Sequence, residues 1–528
     1  MNKVTKKIIS VLLTAVLIFS LCSCKVQRPE ILQPKTTGDA SVSSTDSTEK
    51  GYAVSTSNKL ASDVGAKVIE AGGNAVDAAI AVAYTMSVVE PYASGIGGGG
   101  GMLIYDPESD GYTFINYMPE AARSGATSYN IGVPGFVSGM QTASEKFGTK
   151  SYSDLLKYAY DYAQNGFEIN EKLAYRISQG GSDLNGTPIA FAEEGDMLVQ
   201  PGVAETIRTI IEKGSDDFYN GSIAEKIADN TPLKKSDLSS YKAIVTDAVT
   251  GSFGGYTIAS APSPYSGVQL IQMLKLMVMN NVPSPDKNAS EYFNNFVKIK
   301  LATGSDRVSF SCDPAFSKKN QEYAGHISDE YLKDLLSLSS SSYSEEEESE
   351  DTTHISIVDS NGMTVSMTNT LSSFWGSHKS VNGFFINNSL RNFSVGINAC
   401  EPGKRGRTFI APTIISDGSG NRFAIGTPGG NVITTILAQV IADICLYGDN
   451  PHDAINKMRF TVNSENSLTV ETGLKTELIA NPHSTNFYQI TSNRNEYFGS
   501  INLAGYNAQT KEFYAVADPR RTGSEYSK

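Results

Sequence analysis

The sequence predicts an α+β chain in which helices and strands pack in layers. Three observations predict it. Between residues 57 and 336 apolar residues recur at helical spacing, in runs such as "NKLASDVGAKVIEAGGNAVDAAIAVAYTMSVVE", "SYSDLLKYAYDYAQNGF" and "SGVQLIQMLKLMVM". Residues 352–372 and 405–427 read as strands, followed by another helical run, "VITTILAQVIADICLYG". Within the first strand region, "SNG" at 360–362 is a turn signature that joins "THISIVD" to "MTVSMTNTL" as an antiparallel hairpin.

From the N-terminus, residues 1–24 combine Lys3, Lys6 and Lys7, the apolar run "IISVLLTAVLIFS" and the box "LCSC". That is the pattern of a bacterial lipoprotein signal, with cleavage before Cys24 and lipid on its sulfur, and it predicts a mature protein anchored outside the cytoplasm at the cell membrane. Residues 25–51 are rich in Ser, Thr and Pro and read as a flexible tether. Folding begins after it, with enough chain for a large core. Removal of the signal leaves Cys312, Cys400 and Cys445, an odd, widely spaced set that implies no disulfide framework. The formal charge of −13, about −16 without the three signal lysines, argues against nucleic acid as a partner.

The helical part ends in "SLSSSSYSEEEESE" at 337–350, whose composition cannot form a core. It runs directly into the hairpin. If Ser360, Asn361 and Gly362 form a three-residue loop, Thr352 faces Thr370, His354 faces Thr368, Ser356 faces Ser366 and Val358 faces Thr364. A two-residue Asn-Gly turn would shift every pair by one. In the first register one face is mostly hydroxyls. The other carries Thr353, Ile355 and Ile357 with Met363, Val365, Met367 and Leu371, a core face. The hydroxyl face taken alone reads as solvated surface. The sharper reading makes Thr352 a new N-terminus. A threonine hydroxyl is a poor nucleophile near neutral pH, but a free α-amine on the same residue, of pKa about 8, can take its proton and return it to a leaving group. That requires a cut between Asp351 and Thr352, where a polar tract meets a buried strand.

The segment "TTHISIVDSNGMTVSMTNTLSSFWGS" from Thr352 resembles the start of the small subunit of the gamma-glutamyltranspeptidase family, a branch of the N-terminal nucleophile hydrolases. Further matching motifs are "GGNAVDAAIAVAYTMSVVEPYASGIGGGGG" at 72–101, "GVPGFVSGM" at 132–140, "APSPYSGVQLIQML" at 261–274, "GFFINNSLRNFS" at 383–394, "GTPGGN" at 426–431 and "DPRRTG" at 518–523. They stand in the family's order from about residue 52 to 528. Some of them, "TNTLSSFWG" and "EPGKRGRTFIAPT" among them, look most like the branch that cuts and transfers poly-γ-glutamate. The resemblance implies a four-layer αββα sandwich formed jointly by a large segment, 52–351, and a small catalytic segment, 352–528. It implies a self-cleaving γ-glutamyl hydrolase or transpeptidase that uses water or an amine as acceptor and needs no metal or organic cofactor. By the same resemblance Thr352 is the nucleophile, Thr370 its hydroxyl partner, and Gly429 and Gly430 supply the oxyanion-binding amides. Thr353, Ser372, Ser389, Asn392, Arg407, Thr408 and Arg520 fall on the substrate side.

Departures from the family pattern bear on the donor. In "INYMPEAAR" Met118 occupies the place of the arginine that grips the donor's α-carboxylate, and Arg123 lies five residues on. Asn392 replaces an acidic residue for the α-amine, and Thr408 and Phe409 replace paired serines. A pocket so altered is less devoted to a free amino-acid end. Poly-γ-glutamate, a γ-glutamyl peptide and glutathione remain candidate donors. A family-like surface protein with impaired catalysis and an amidase of the same fold acting on another amide are the alternatives. The glycines at 97–101 lack the following Lys-Ser/Thr of a phosphate loop and read as close backbone packing. The histidines lack metal-ligand spacing, and His354 reads as a satisfied inward polar residue. Phe374 and Trp375 are placed to wall a pocket or to fill a core, and Arg520 and Arg521 to serve a structural or anion-contacting role.

Overall fold

The computed structural model describes residues 51–317, 323–338, 351–462, 467–474, 486–489 and 496–528. The expected signal segment with Cys24, the tether up to residue 50 and the serine/glutamate tract from 339 to 350 lie outside the described residues.

Two antiparallel sheets form the centre. The first has seven strands in the order Ser524–Ser527, Ala53–Thr56, Asp351–Val358, Thr364–Ser372, Gly99–Asp106, Gly111–Asn116 and Ile244–Asp247. The second has six: Glu512–Ala517, Asn502–Asn507, Arg422–Gly426, Thr413–Asp417, Tyr256–Ser260 and Val249–Phe253. Four strands frame the site and are numbered β1 (Gly99–Asp106), β2 (Asp351–Val358), β3 (Thr364–Ser372) and β4 (Arg422–Gly426). Helices Lys59–Glu70, Ala75–Val89, Tyr152–Asn165 and Pro201–Lys213 build one core with Ile355, Ile357, Val365 and Met367 of the first sheet. Helices Gly267–Met279, Ala289–Phe310 and Ile433–Ala442 build another with Ile258, Ile414 and Ile425 of the second. The architecture is therefore the expected αββα sandwich. Gly430–Tyr447 is apolar enough to cross a membrane by composition, yet it is mostly buried inside this second core.

The long helical run at 58–90 is two helices rather than one. Gly72, at φ 82°, ends the first by adopting a left-handed conformation that other residues resist. Asn74 starts the second: its Oδ1 accepts the Asp77 amide at 2.9 Å while its own amide donates to Asp77 Oδ2 at 3.0 Å, a capping box contributing about 1 kcal/mol. Every residue of Ala75–Val89 is buried, as a helix apolar on all sides must be.

The hairpin has the three-residue loop. Asp359 donates its amide to the Met363 carbonyl at 3.1 Å, and Gly362 closes the turn at φ 88°. Val358 faces Thr364, Ser356 faces Ser366 and His354 faces Thr368, as the first register requires. The hydroxyl face is not solvated. Ser356, Ser366 and Thr368 are at most 1% exposed because the second sheet covers them. Ser356 Oγ donates to the Asn502 carbonyl at 2.9 Å, and Ser366 Oγ donates to the Ile425 carbonyl at 3.1 Å while accepting the Thr413 amide at 2.9 Å. The two sheets are thus joined by hydrogen bonds where sandwich sheets ordinarily meet through apolar side chains.

Candidate active site

Thr352 is the second residue of β2, inside the first sheet and 3% exposed. The simple Thr352–Thr370 pair expected from the sequence is replaced by a bulge. Asn369 pairs with Thr353 and Ser372 with Asp351, so Thr370 and Leu371 together oppose Thr352. The physical reason is that Leu371 bonds elsewhere: its amide donates to the Ala93 carbonyl at 3.0 Å, and its carbonyl accepts the Asn388 amide at 3.1 Å. Past the bulge Ser372 is turned to φ 81°, a conformation that costs a non-glycine residue about 1–3 kcal/mol. Its amide donates to Thr370 Oγ1 at 2.8 Å, which fixes the direction of that hydroxyl, and its Oγ donates to Asn392 Oδ1 at 3.0 Å.

Glycines of β1 allow β3 its place. A Cβ on Gly98 would lie 2.3 Å from the Thr370 carbonyl oxygen, and one on Gly100 2.2 Å from that of Thr368. This is the close backbone packing read from 97–101.

The other wall comes from the end of β4. A Cβ on Gly426 would lie 2.1 Å from the His354 ring, so the imidazole, two residues along the same face from Thr352, touches the backbone just before Thr427-Pro428-Gly429-Gly430. His354 is fully buried, bonded to Thr368 Oγ1 at 2.8 Å and to Ser356 Oγ at 3.0 Å. Burial lowers its pKa to about 3, so it stays neutral at physiological pH. Thr427 Oγ1 accepts the Ser500 amide at 2.8 Å and pins the turn. Gly429 lies at φ 141°, ψ 6°, and Gly430, at φ 57°, begins the short turn that leads into Ile433–Ala442. Among the described residues neither amide donates a hydrogen bond. Two adjacent glycine amides thus stand without an acceptor at the end of β4, and adjacent amides so placed suit a negative charge.

Arg521 closes the site from the C-terminal segment. Its Nη1 donates to the Thr352 carbonyl at 3.2 Å. Behind it lies a buried charged group: Glu90, which accepts from Ser57 Oγ at 3.0 Å and Asn58 Nδ2 at 3.3 Å, and Lys172 and Arg176, both ion-paired to Glu496. Burial raises the Glu90 carboxyl, against the pull of Arg521. Burial, with Arg521 and Arg176 nearby, lowers Lys172 to about 8. Arg176 stacks 3.5 Å over the Phe374 ring, and Trp375 Nε1 donates to the Arg176 carbonyl at 3.2 Å. Phe374 and Trp375 therefore wall this group.

The remaining residues expected on the substrate side are distributed unevenly. Thr353 Oγ1 donates to Ser94 Oγ at 2.8 Å on the face away from the second sheet. Asn392 bonds Ser372, Asn398 Nδ2 donates to the Asn392 carbonyl at 2.9 Å, and Asn398 Oδ1 accepts the Arg407 amide at 3.0 Å, so these positions form one line leading from Thr370. Arg407 Nη1 donates to the carbonyls of Val308 and Ser311 at the end of Ala289–Phe310. The Thr408 carbonyl accepts Ser266 Oγ, and Phe409 lies 3.8 Å beneath the Arg307 guanidinium. Ser389 Oγ is buried without a partner among the described residues. Arg520 is held in a different network: it bonds Glu471 at 2.8 and 2.7 Å, Asp518 at 3.2 Å and the Ile455 and Lys457 carbonyls. Met118 is buried, its carbonyl accepting from Tyr241 Oη at 2.8 Å and Arg405 Nε at 3.2 Å. Arg123 is largely exposed and lies 3.5 Å from Glu120.

Two facing antiparallel sheets covered by helices on their outer sides are the fold of the N-terminal nucleophile hydrolases. Known proteins agree. A model of the gamma-glutamyltranspeptidase family matches residues 61–527. The chain is 36% identical over 490 residues to the capsule biosynthesis protein CapD proenzyme of Bacillus anthracis, covering 90% of this chain and 91% of that one. It is 30% identical over 538 residues to the glutathione hydrolase proenzyme of Bacillus subtilis strain 168, covering 89% and 90%. The crystal structure of cephalosporin acylase from Bacillus halodurans shares the fold, with a TM-score of 0.81 over 94% of this chain and 99% of that one at 20% identity. The chain belongs to the gamma-glutamyltranspeptidase family, and it is an enzyme with that family's γ-glutamyl hydrolase chemistry and autocatalytic processing.

Proposed function

We propose that cleavage between Asp351 and Thr352 frees Thr352 to act as nucleophile on γ-linked glutamyl donors, and that poly-γ-glutamate or a γ-glutamyl peptide serves better than glutathione. The observation that supports the first part is the bulge in which Thr370 and Leu371 together oppose Thr352, with the Thr370 hydroxyl bonded by the Ser372 amide. Thr352 Oγ1 bonds to the γ-carbonyl carbon and its α-amine takes the hydroxyl proton. The two glycine amides hold the developing oxyanion, each lowering the barrier by about 3 kcal/mol. As the C–N bond breaks, the proton passes to the leaving nitrogen. Water or an acceptor amine then resolves the acyl-enzyme by the reverse sequence. Ser372, Ser389 and Asn392 line the donor side, with Thr353, Arg407 and Thr408 behind them. Arg520, expected on the substrate side, is bound to Glu471 and Asp518, while Arg521 reaches the Thr352 carbonyl.

Donor choice rests on charge. Met118 gives no cation where the family holds the α-carboxylate, and Asn392 gives no anion for the α-amine. Each missing charged hydrogen bond costs a small donor about 2 kcal/mol, while a chain of γ-linked residues regains contact along its length. Comparing kcat/KM for glutathione and for a short γ-linked glutamate oligomer, with and without amine acceptors, tests this. A preference for glutathione overturns the polymer reading and leaves the nucleophile untouched.

We infer further that Cys24 carries lipid and anchors the enzyme outside the cytoplasm. Detergent-phase partitioning of the wild-type protein, lost in Cys24→Ala, is the expected result; equal partitioning rejects it.

A further inference from the structure

Arg391 is an exposed cation fastened to the rim of the site. It stands on the turn Ser389–Asn392, which is tied to the bulge at both ends: the Asn388 amide donates to the Leu371 carbonyl at 3.1 Å, and Ser372 Oγ donates to Asn392 Oδ1 at 3.0 Å. Arg391 Nη1 donates to Ser373 Oγ at 2.7 Å, beside Ser372, whose backbone pairs with Asp351. Asn388 Nδ2 donates to the same oxygen at 2.9 Å. Among the described residues the other guanidinium nitrogens of Arg391 have no acceptor, and no carboxylate pairs with it. The turn Ser128–Asn130 lies against Ser389–Asn392, and Lys379 Nζ sits 4.5 Å from the centre of the Tyr129 ring there. Lys379 likewise has no carboxylate partner among the described residues; Asp183 lies 3.1 Å from its neighbour His378 instead. The ground beneath Arg391 also holds two buried polar atoms without partners among the described residues, Ser389 Oγ and Asn388 Oδ1.

We propose that Arg391 selects γ-linked chains as donors by holding the α-carboxylate of the glutamyl unit upstream of the one that is acylated, with Lys379 next along the chain. The inference rests on the donor lying along the Ser372–Asn392 line and adds what grips its second unit. A γ-linkage consumes the side-chain carboxyl and leaves an α-carboxylate free on every unit. It also puts two more carbons into the backbone than an α-linkage, so successive carboxylates stand about 6 Å apart. With the α-nitrogen of the acylated unit at Asn392, the upstream unit joined to that nitrogen meets Arg391, the adjacent residue. A guanidinium binds carboxylate through a flat fork of N–H groups, and Ser373 steadies this one. Glutathione ends at that nitrogen and has no upstream carboxylate to offer. A protein of formal charge −13 repels a polyanion at long range, so cations without acidic partners at this rim are what draw one in.

Three anilides read the contact in processed enzyme: γ-glutamyl anilide, γ-glutamyl-γ-glutamyl anilide, and the same two-unit donor with 4-aminobutanoyl upstream, which is the glutamyl chain without its carboxylate. Wild type should release aniline from the two-glutamyl donor with kcat/KM about fivefold above the 4-aminobutanoyl one, the upper range for one exposed charge pair, and added salt should shrink that ratio. Arg391→Gln should bring the ratio to about one, and Arg391→Lys should keep part of it. A wild-type ratio near one, or an Arg391→Gln enzyme with the wild-type ratio, overturns the proposal. Equal loss on all three donors makes Arg391 purely structural and overturns it too. Lys379→Gln should lower kcat/KM only when a second upstream glutamyl unit is added; equal loss on the shorter donors removes Lys379 from the proposal. Glutathione separates this inference from the reading beneath it. A wild-type preference for glutathione over the two-glutamyl donor removes the polymer reading, whereas a preference for the longer donor with an unchanged ratio in Arg391→Gln removes only the role of Arg391.

Discussion

Gly429→Ala separates the oxyanion corner from simple turn formation. Gly429 lies at φ 141°, which side-chain-bearing residues rarely adopt, and an added Cβ would stand 2.8 Å from Val432 Cγ2. The conformation alone costs about 1–3 kcal/mol. A fold of ordinary stability, about 5–15 kcal/mol, survives that. Relief comes by rotating the 428–430 backbone, because Val432 is itself buried. Rotation turns the amides of Gly429 and Gly430 away from the position they share, and loss of one such donor raises the barrier by about 3 kcal/mol, on the order of a hundredfold in kcat. Gly448→Ala is the control. Gly448 is left-handed at φ 83°, ψ 20°, with nothing within 4 Å of an added Cβ, so alanine there costs about 1 kcal/mol of stability and leaves the site alone. The assay is kcat on a chromogenic γ-glutamyl anilide, normalised to processed enzyme, beside the melting temperature of each variant. A folded, processed Gly429→Ala enzyme with kcat within twofold of wild type refutes the assignment.

Three other outcomes are expected. Thr352→Ala should abolish both turnover and the appearance of a small segment beginning Thr-Thr-His-Ile, since no other group there joins an attacking oxygen to its own amine; a full-length single band that still turns over donor would contradict the mechanism. Thr370→Ala should slow processing and turnover by about 10²-fold or more with a small change in melting temperature, because it removes the hydroxyl that Ser372 orients; unaltered processing shows that Thr370 has no part. His354 makes stability depend on pH. Its folded pKa is lowered to about 3, so below about 6.5 the unfolded chain binds a proton that the folded one refuses, and stability present above 6.5 is lost as pH falls toward 3. Between pH 7.5 and 4.5 that loss is about 3 kcal/mol. Denaturant titrations of His354→Asn should lack this part of the slope; a slope as steep as wild type assigns the acid sensitivity elsewhere.

What the sequence made legible was local. Alternation with period two and the turn at 360–362 left two hairpin registers, of which the three-residue loop is the one formed, while the helix break before Asn74 lay unmarked inside one helical run. The bulge opposite Thr352 was not legible, because its cause is a pair of bonds from Leu371 to Ala93 and Asn388, which no pattern within the hairpin announces. The same holds for the hydroxyl face. Alternation says that Ser356, Ser366 and Thr368 share a side, but burial depends on Asn502 and Thr413, which arrive from other parts of the chain.

The charged group behind Thr352 shows where a signal was present but unread. Arg520 and Arg521 are adjacent in sequence, yet one is bound into the network of Glu471 and Asp518 and the other reaches the Thr352 carbonyl; composition cannot divide them. Glu90 carries the signal. It follows the helix Ala75–Val89, whose apolar sequence requires burial on all sides, so a carboxylate at its end is carried inside with it. A buried carboxylate needs hydrogen bonds or a cation, or else it takes up a proton. Ser57 and Asn58 supply the hydrogen bonds, and the charges of Arg521 and Lys172 pull the carboxyl down against burial. The demand for a partner for Glu90 was thus readable at residue 90, whereas the cations that meet it, Arg521 and Lys172, are brought there only by the fold.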